Sequence, residues 1–205
     1  MHLSIWLTML KLSQHFTPTP VGLLLHTLEQ RDSIVFAHCL RVGRFAALIG
    51  ANMGLTGDVQ RHLETAGQLH DIGKLAIPPF LVHKEGVFTP TEYQIFKHHA
   101  SLGAAILEEY QQDLSLIQTA RQHHERWDGR GYPHGLRGNE ISRFAQITAV
   151  ADAYDAMLSG RSYRSLLVHQ EALEEIQRCR ATQFSPEVVD AFLKTEFRSL
   201  EMQAG

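Results

Sequence analysis

The chain has 205 residues, of which 44% are hydrophobic, so it can bury a sizeable core and wholesale disorder is excluded. Lys and Arg number 19 against 22 Asp and Glu, and the net charge of −3 argues against a dedicated DNA-binding protein, which usually carries a basic excess. Two cysteines cannot build a disulfide framework and favour a reducing cytoplasm as the location.

Residues 1–20 are predicted to form an N-terminal helix and a proline-containing linker. The stretch Leu3 to Leu10 is apolar but shorter than the roughly 20 residues of a membrane-spanning helix. It also lacks the basic start and the cleavage site of a secretory signal. We therefore expect an amphipathic helix that packs on the domain or on a partner, and no membrane span. The prolines at alternate positions in Thr17 to Pro20 favour an extended linker, which places the main domain at residues 21–200.

Helical periodicity runs through most of the remaining chain. Apolar residues recur at helical spacing from Phe36 to Met53, and Gly54 follows as a stop. Thr89-Pro90-Thr91-Glu92 predicts a helix start with a capping box, and Asp113 is predicted to cap the next helix. No segment shows the alternation of a strand, so the sequence predicts an all-α fold.

A long irregular stretch is predicted from Glu125 to about Asn139, where glycine and proline are frequent. A loop of this length inside a compact domain is usually functional. Three helices are predicted after it: one capped by Ser142 that runs through Met157, one near Val168–Arg180, and a last one from Ser185-Pro186 to about Phe197.

The 13 histidines are the unusual feature of the composition. A His-Asp pair such as His70-Asp71 more often caps a helix than binds a metal. Further candidate ligands are predicted at other helix ends: His38, His99, His123, His124 and Asp152. Imidazole together with carboxylate suits first-row transition metals, and several helices of a bundle can project such side chains inward to build a dinuclear centre.

Adjacent histidines cannot both face one metal in mid-helix, because they lie about 100° apart. We predict that His99 faces the metal, since Phe96 and Gly103 share its side of the helix, and that His98 faces solvent. His123 and His124 could divide in the same way. At a helix end the second histidine can turn into the same cavity, so both are retained.

Longer motifs carry a family resemblance. His38, His70-Asp71 and Asp152 match, in order, the H…HD…D pattern of the HD phosphohydrolase superfamily. The strings HDIGK (70–74), HHERWDGRGYP (123–133) and VADAYDAM (150–157) resemble the HD-GYP subfamily. The HD pair alone often matches by chance, whereas these strings at this separation are specific. The resemblance covers roughly residues 24 to 193.

The resemblance implies an HD-domain helical bundle with a dinuclear metal centre in its core, usually iron or manganese, that hydrolyses cyclic di-GMP to pGpG or GMP in bacterial signalling. One ion would be held by His38, His70, Asp71 and Asp152. Asp71 would bridge to a second ion, held by His99, His123 and His124. Two such cations can acidify a bridging water and neutralise phosphate oxygens. Asp71 and Lys74 are the implied catalytic residues, because the Lys74 ammonium can meet the charge that develops on the phosphate.

The resemblance also implies the substrate contacts. Arg161 and Arg164 match the family's arginine pair, and an arginine fork can bind guanine O6 and N7. The alternative is an arginine pair that closes on Asp155 or Glu171. Tyr132 and Pro133 would form a wall of the pocket, and their loop is also a proposed surface for GGDEF-type diguanylate cyclases. A homodimer is left open.

Three positions depart from the family pattern, and none removes a ligand of the dinuclear centre. Val35 replaces a common Thr, Ala100 replaces a common Pro, and Ile34 stands where some members carry a third-metal Glu. Most members are fused to a sensory domain, so we expect a stand-alone effector or the output part of a larger system. The alternative function is an adaptor that binds cyclic di-GMP or a GGDEF protein and turns over little. Intact ligands favour the enzyme.

Overall fold

The computed structural model describes residues 19–159 and 168–196, and these two ranges contain helices and turns but no β-strand. The all-α prediction is confirmed. The helices are α1 (Pro20–Arg31), α2 (Ser33–Asn52), α3 (Gly57–Leu69), α4 (Pro79–Val82), α5 (Pro90–Glu109), α6 (Leu114–Gln122), α7 (Arg143–Ser159), α8 (His169–Arg178) and α9 (Pro186–Phe192). Short 3-10 helices form at Ile72–Ala76 and Gly138–Glu140.

The capping signals read from the sequence are confirmed. The Thr89 hydroxyl accepts a hydrogen bond from the Glu92 amide at 3.3 Å, and the Glu92 carboxylate accepts one from the Thr89 amide at 2.7 Å. Asp113 accepts hydrogen bonds from the first amides of α6. These local interactions satisfy amides that have no partner within their own helix.

Two predicted boundaries are wrong. Pro20 does not lie in an extended linker: it is the first residue of α1, and Thr19 caps that helix by accepting from the Gly22 amide at 3.1 Å. The last helix ends at Phe192 and not near Phe197. Phe192 is fully buried whereas Leu193 is 37% exposed, so the described residues 193–196 offer little apolar burial to hold a helix.

Helix α2 is the centre of the bundle and packs against α1, α3, α7 and α9. Its contact with α3 is a direct backbone contact, since a Cβ atom on Gly67 would lie 2.7 Å from the Gly43 Cα. The core surrounds α2 in two clusters, one with α7, α8 and α9 and the other with α1, α3, α5 and α6. A central helix of this kind brings residues distant in sequence into one interior.

Among the described residues, one helix is long and apolar enough to meet the length and composition test for crossing a membrane, namely Ser33–Asn52. This is helix α2. Four other helices pack against it, and the core helix of a bundle passes the same test.

Replacing Asp113 with alanine is expected to lower the free energy of unfolding by about 1 kcal/mol, the usual cost of losing an N-cap. Burial raises the pKa of Asp113, but hydrogen bonds from Ser115 and His62 outweigh burial and lower it. The contribution is therefore present above the unfolded carboxyl pKa of about 3.9 and is lost as the pH falls through the lower folded value. Urea unfolding at neutral and acidic pH measures this.

The matched control is Thr56→Ala at the N-cap of α3, where the side chain makes no capping hydrogen bond. This change should cost clearly less than Asp113→Ala at neutral pH. Equal costs for the two variants would contradict the capping role of Asp113.

Candidate metal centre

The seven predicted ligands lie together in the interior of the bundle. His38 comes from α2, His70 and Asp71 follow α3, His99 comes from α5, His123 and His124 follow α6, and Asp152 comes from α7. The prediction that all of them sit at helix ends is wrong for three. His38, His99 and Asp152 lie within their helices, because an inward-facing position on a buried helix reaches the centre as well as a helix end does.

Asp71 lies between two groups of histidines, with one carboxylate oxygen towards each. Its Oδ2 is 3.3 Å from His70 Nε2 and 3.6 Å from His38 Nε2. Its Oδ1 is 3.4 Å from His99 Nε2 and 3.8 Å from His123 Nε2. A carboxylate in this position can contribute one oxygen to each of two cations.

The remaining ligands divide accordingly into two clusters. In each cluster the potential ligand atoms lie within 4.8 Å of one another. The carboxylate cluster is His38, His70 and Asp152, and the histidine cluster is His99, His123 and His124.

Hydrogen bonds on the outer side of the rings determine which nitrogen faces the centre. Three imidazoles donate from Nδ1 to a backbone carbonyl of the preceding turn: His70 to Gly67 at 2.6 Å, His99 to Phe96 at 2.7 Å, and His123 to Ala120 at 2.9 Å. A carbonyl oxygen only accepts, so Nδ1 carries the hydrogen. In the neutral rings Nε2 then presents a lone pair to the centre.

Burial keeps the histidine cluster neutral. It lowers the pKa of His99 to about 4 and that of His123 to about 3, and it lowers the pKa of His124 well below its usual value. For Asp71, burial raises the pKa, but Lys74 and His70 outweigh it and hold the pKa well below its ordinary range. At neutral pH the histidine cluster therefore offers neutral imidazoles beside an ionised carboxylate.

His38 has different surroundings. Burial lowers its pKa, but hydrogen bonds with Asp152, Asp155 and Asp71 outweigh burial and raise the pKa to about 9. The acidic side chains of the centre are therefore concentrated around His38, on the side of the carboxylate cluster.

The donor atoms fit cations. Asp71 Oδ1 and His70 Nε2 are buried and have no hydrogen-bond partner among the described residues. The lone pairs of His99 Nε2 and His123 Nε2 also face each other at 3.3 Å. Buried acceptors without donors cost free energy, and a cation between them removes that cost. Nitrogen and carboxylate donors suit first-row transition metals.

Around the centre, Lys74 and Tyr132 contact the candidate ligands. Lys74 lies on the 3-10 helix after Asp71 and forms an ion pair with Asp71 Oδ2. The Tyr132 ring stacks on His124, with centroids 4.8 Å apart. His98 is exposed and His99 is buried, as predicted.

A cleft of about 720 Å³ opens beside the carboxylate cluster. Its walls include three cationic side chains and an aromatic pair: Arg41, Lys74, Lys84, Phe88 and Phe96. Tyr132 and Pro133 are not among the described residues that line it, so their predicted contact with a substrate stays a prediction. Arg161 and Arg164 lie outside the described residues.

Sequence reasoning did not find three further residues of the site. Asp155 accepts a hydrogen bond from His38 Nδ1 at 2.6 Å, and Arg41 donates to the same carboxylate. Glu125 is buried and accepts from the amides of His134 and Leu136, which holds the loop after His124 in place. The spacing Asp152-x-x-Asp155 on one helix face was a usable signal, because Asp155 follows the predicted ligand by one turn.

Gly73 sets the approach of Asp71 to the histidine cluster. A Cβ atom on Gly73 would lie 2.0 Å from the His99 carbonyl oxygen and 2.4 Å from the Gly103 amide nitrogen. The 3-10 helix and α5 therefore meet backbone to backbone, and no L side chain fits between them.

We expect Gly73→Ala to destabilise the fold by about 1–3 kcal/mol or more, the cost of overpacking a filled interior. Metal affinity should fall as well, because the added methyl group would push α5 outward and move His99 away from Asp71. Thermal unfolding and metal titration measure the two effects. Gly57→Ala is the control, since a Cβ there would meet only the Arg61 side chain at 3.5 Å. A Gly73→Ala protein with unchanged stability would contradict the close contact.

Comparison with known proteins gives one consistent family. The family model described as HD domain matches residues 23–188. A protein of Thermotoga maritima named cyclic di-GMP phosphodiesterase is 41% identical over 82% of this chain and 46% of its own length. The cyclic di-GMP phosphodiesterase response regulator RpfG of Xanthomonas campestris is 38% identical over 83% of this chain and 46% of its own length.

The chain thus spans about half the length of these curated relatives. Among solved structures, Bd1817, an HDG"Y"P protein from Bdellovibrio bacteriovorus, superposes with a TM-score of 0.66 at 21% identity, covering 78% of this chain and 52% of that one. At 21% identity, this similarity shows only that the two proteins share a fold.

Proposed function

Since the chain belongs to the HD domain family, in its HD-GYP group, we propose that it is a metal-dependent phosphodiesterase that hydrolyses cyclic di-GMP. The observation that carries the proposal is the position of Asp71. Its two oxygens face two separate clusters of ligands, and the centre lies beside a cleft with cationic walls. Relatives named for this activity support the choice of substrate.

The residues would hold two divalent ions, with iron as the first choice and manganese as the second. His38, His70 and Asp152 would bind one, His99, His123 and His124 the other, and Asp71 both. Bound ions supply Lewis-acid stabilisation of phosphate charge and an acidified water. The protein contributes fixed nitrogens, a carboxylate that is ionised at neutral pH and a buried setting in which electrostatic interactions are strong.

Lys74 is proposed as the residue that meets charge developing on the phosphate. Its side chain is 7% exposed and lines the cleft, and its ammonium pairs with Asp71. A preorganised donor in a dry site stabilises a developing oxyanion without reorganisation. Arg41 and Lys84 line the same cleft and favour a substrate with two phosphates.

The nucleobases are proposed to meet aromatic and arginine side chains. Phe88 and Phe96 stack with their centroids 5.1 Å apart at an angle of 28°, and both line the cleft. Flat aromatic surfaces suit base stacking. Arg161 and Arg164 remain the proposed readers of guanine. The loop that carries Tyr132 remains the proposed surface for GGDEF-type cyclases, with a cytoplasmic location and a homodimer still open.

Hydrolysis assays under anaerobic, iron-replete conditions test the function. Cyclic di-GMP is expected to be cleaved faster than 3′3′-cGAMP, which has one guanine, and cyclic di-AMP, which has none. A protein that binds cyclic di-GMP without cleaving it at full metal loading would overturn the enzyme and support the adaptor.

The number of metal ions is a separate prediction. Ile34 lines the cleft one turn before His38 and is 71% exposed, and its hydrocarbon side chain cannot ligate a third ion. Elemental analysis of the loaded protein should give two ions per chain. Three tightly bound ions per chain would contradict the ligand assignment.

A further inference from the structure

His38 is held differently from three other histidines of the centre. Its Nδ1 donates to the carboxylate of Asp155 at 2.6 Å, whereas His70, His99 and His123 use backbone carbonyls. A backbone carbonyl is fixed by its helix. A side-chain carboxylate has rotamers, so Asp155 can orient His38 only if another group holds Asp155.

Arg41 supplies that hold. Its Nε donates to Asp155 Oδ1 at 2.6 Å and its Nη2 donates to Asp155 Oδ2 at 3.0 Å, a two-bond fork. The Asp155 side chain is 3% exposed, whereas Arg41 is 42% exposed and lines the cleft. A fork of this geometry fixes the plane of the carboxylate as well as its position.

The interacting residues have the same one-turn spacing on the two helices that carry them. His38 and Arg41 are one turn apart on α2, and Asp152 and Asp155 are one turn apart on α7. Asp152 faces His38 Nε2 at 3.1 Å while Asp155 binds Nδ1 of the same ring. The ring of His38 is thus held on both sides by a single helix.

We propose that Arg41 and Asp155 are positioning residues, which orient His38 and set the metal affinity of the carboxylate cluster alone. The inference rests on the proposed function, because it concerns the same centre. An imidazole that donates to a carboxylate is fixed in one tautomer and is a more basic ligand. No described hydrogen bond links Arg41 or Asp155 to the histidine cluster, so that half keeps its affinity.

The competing explanation is that Arg41 and Asp155 only join α2 to α7. A joint of this kind would affect stability, or would weaken both halves of the centre together. If these residues orient His38, their loss weakens metal binding at the carboxylate cluster and leaves metal binding at the histidine cluster unchanged. The number of affected ions therefore separates the two explanations without any activity measurement.

The test is a calorimetric titration of the metal-free protein with Mn²⁺ alone. The wild type should bind two ions, and Asp155→Asn should bind one of them 10- to 100-fold more weakly, roughly the usual effect of losing such an outer partner. A His124→Ala variant lacks part of the histidine cluster and should keep the ion of the carboxylate cluster. Adding Asp155→Asn to this variant should weaken that remaining ion by the same factor of about 10 to 100. Asp190→Asn is the control: it breaks the exposed Arg180–Asp190 fork, with two bonds of 2.8 Å, which includes none of the candidate ligands.

Arg41→Gln gives a second measurement that does not depend on the folding of Asp155→Asn. It leaves the carboxylate in place and should weaken the same ion by a smaller factor. Two unchanged sites in both variants, or equal weakening of both ions, would overturn the inference. A wild-type chain that binds no Mn²⁺ would instead overturn the proposed function, and this inference with it.

Discussion

Asp71→Ala is expected to lose both metal ions and to bring cyclic di-GMP hydrolysis down by about 10³-fold or more. The two oxygens of Asp71 face the two clusters. Lewis-acid stabilisation is worth several kcal/mol, and about 1.4 kcal/mol corresponds to a factor of ten in rate. Elemental analysis and a hydrolysis assay on the same preparation measure the two losses.

The helical fold should survive this change, because the centre is bordered by two apolar clusters that do not include Asp71. Circular dichroism checks it, and Asp71→Asn, of nearly equal volume, serves if the alanine variant does not fold. Asp58→Ala is the control, since Asp58 is an exposed acid paired only with Arg61 among the described contacts. Retention of two ions by Asp71→Ala would show that Asp71 does not join the clusters.

Lys74→Met is expected to lower kcat by about 10²- to 10³-fold, the loss that follows removal of one preorganised donor to a developing oxyanion. Methionine keeps the length of the side chain and removes the ammonium. Metal content should be retained, since Lys74 is not among the candidate ligands. Steady-state kinetics on fully loaded protein separate the fall in kcat from any change in KM.

Lys84→Met is the matched control for charge in the cleft. Lys84 lines the same cleft but pairs with Glu92 and not with Asp71. Its loss should raise KM with little change in kcat, because it acts on binding of the anionic substrate. If both lysine variants change KM alone, Lys74 has no special role in the chemical step.

Local signals predicted much of the fold, and long-range packing decided the rest. The capping box at Thr89 was predictable because its hydrogen bonds lie within four residues. The pattern Thr-Pro-Thr-Pro fits a linker and a helix start equally well. Burial of Leu24 and Leu28 decides in favour of helix α1, and burial of that kind depends on the other helices.

The grouping of the candidate ligands was predictable from motifs, but the residues that support them were not. His99 was chosen over His98 from helix geometry, and the burial of the two residues agrees. Asp155 was considered only as a partner for the arginine pair, because a sequence does not show which buried carboxylate a ring nitrogen faces. The contact of Gly73 with the backbone of α5 depends on how two helices cross, and no local pattern encodes it.

The division of the ligands also bears on the order in which the centre assembles. His99 on α5 and His123, which directly follows α6, are 24 residues apart, whereas His38 meets Asp155 across 117 residues. Closing the longer loop costs more chain entropy. During synthesis from the N-terminus, the histidine cluster is complete once His124 has left the ribosome, whereas the carboxylate cluster must wait for α7. A nascent chain therefore completes its two candidate metal-binding clusters in two steps, with the all-histidine cluster first.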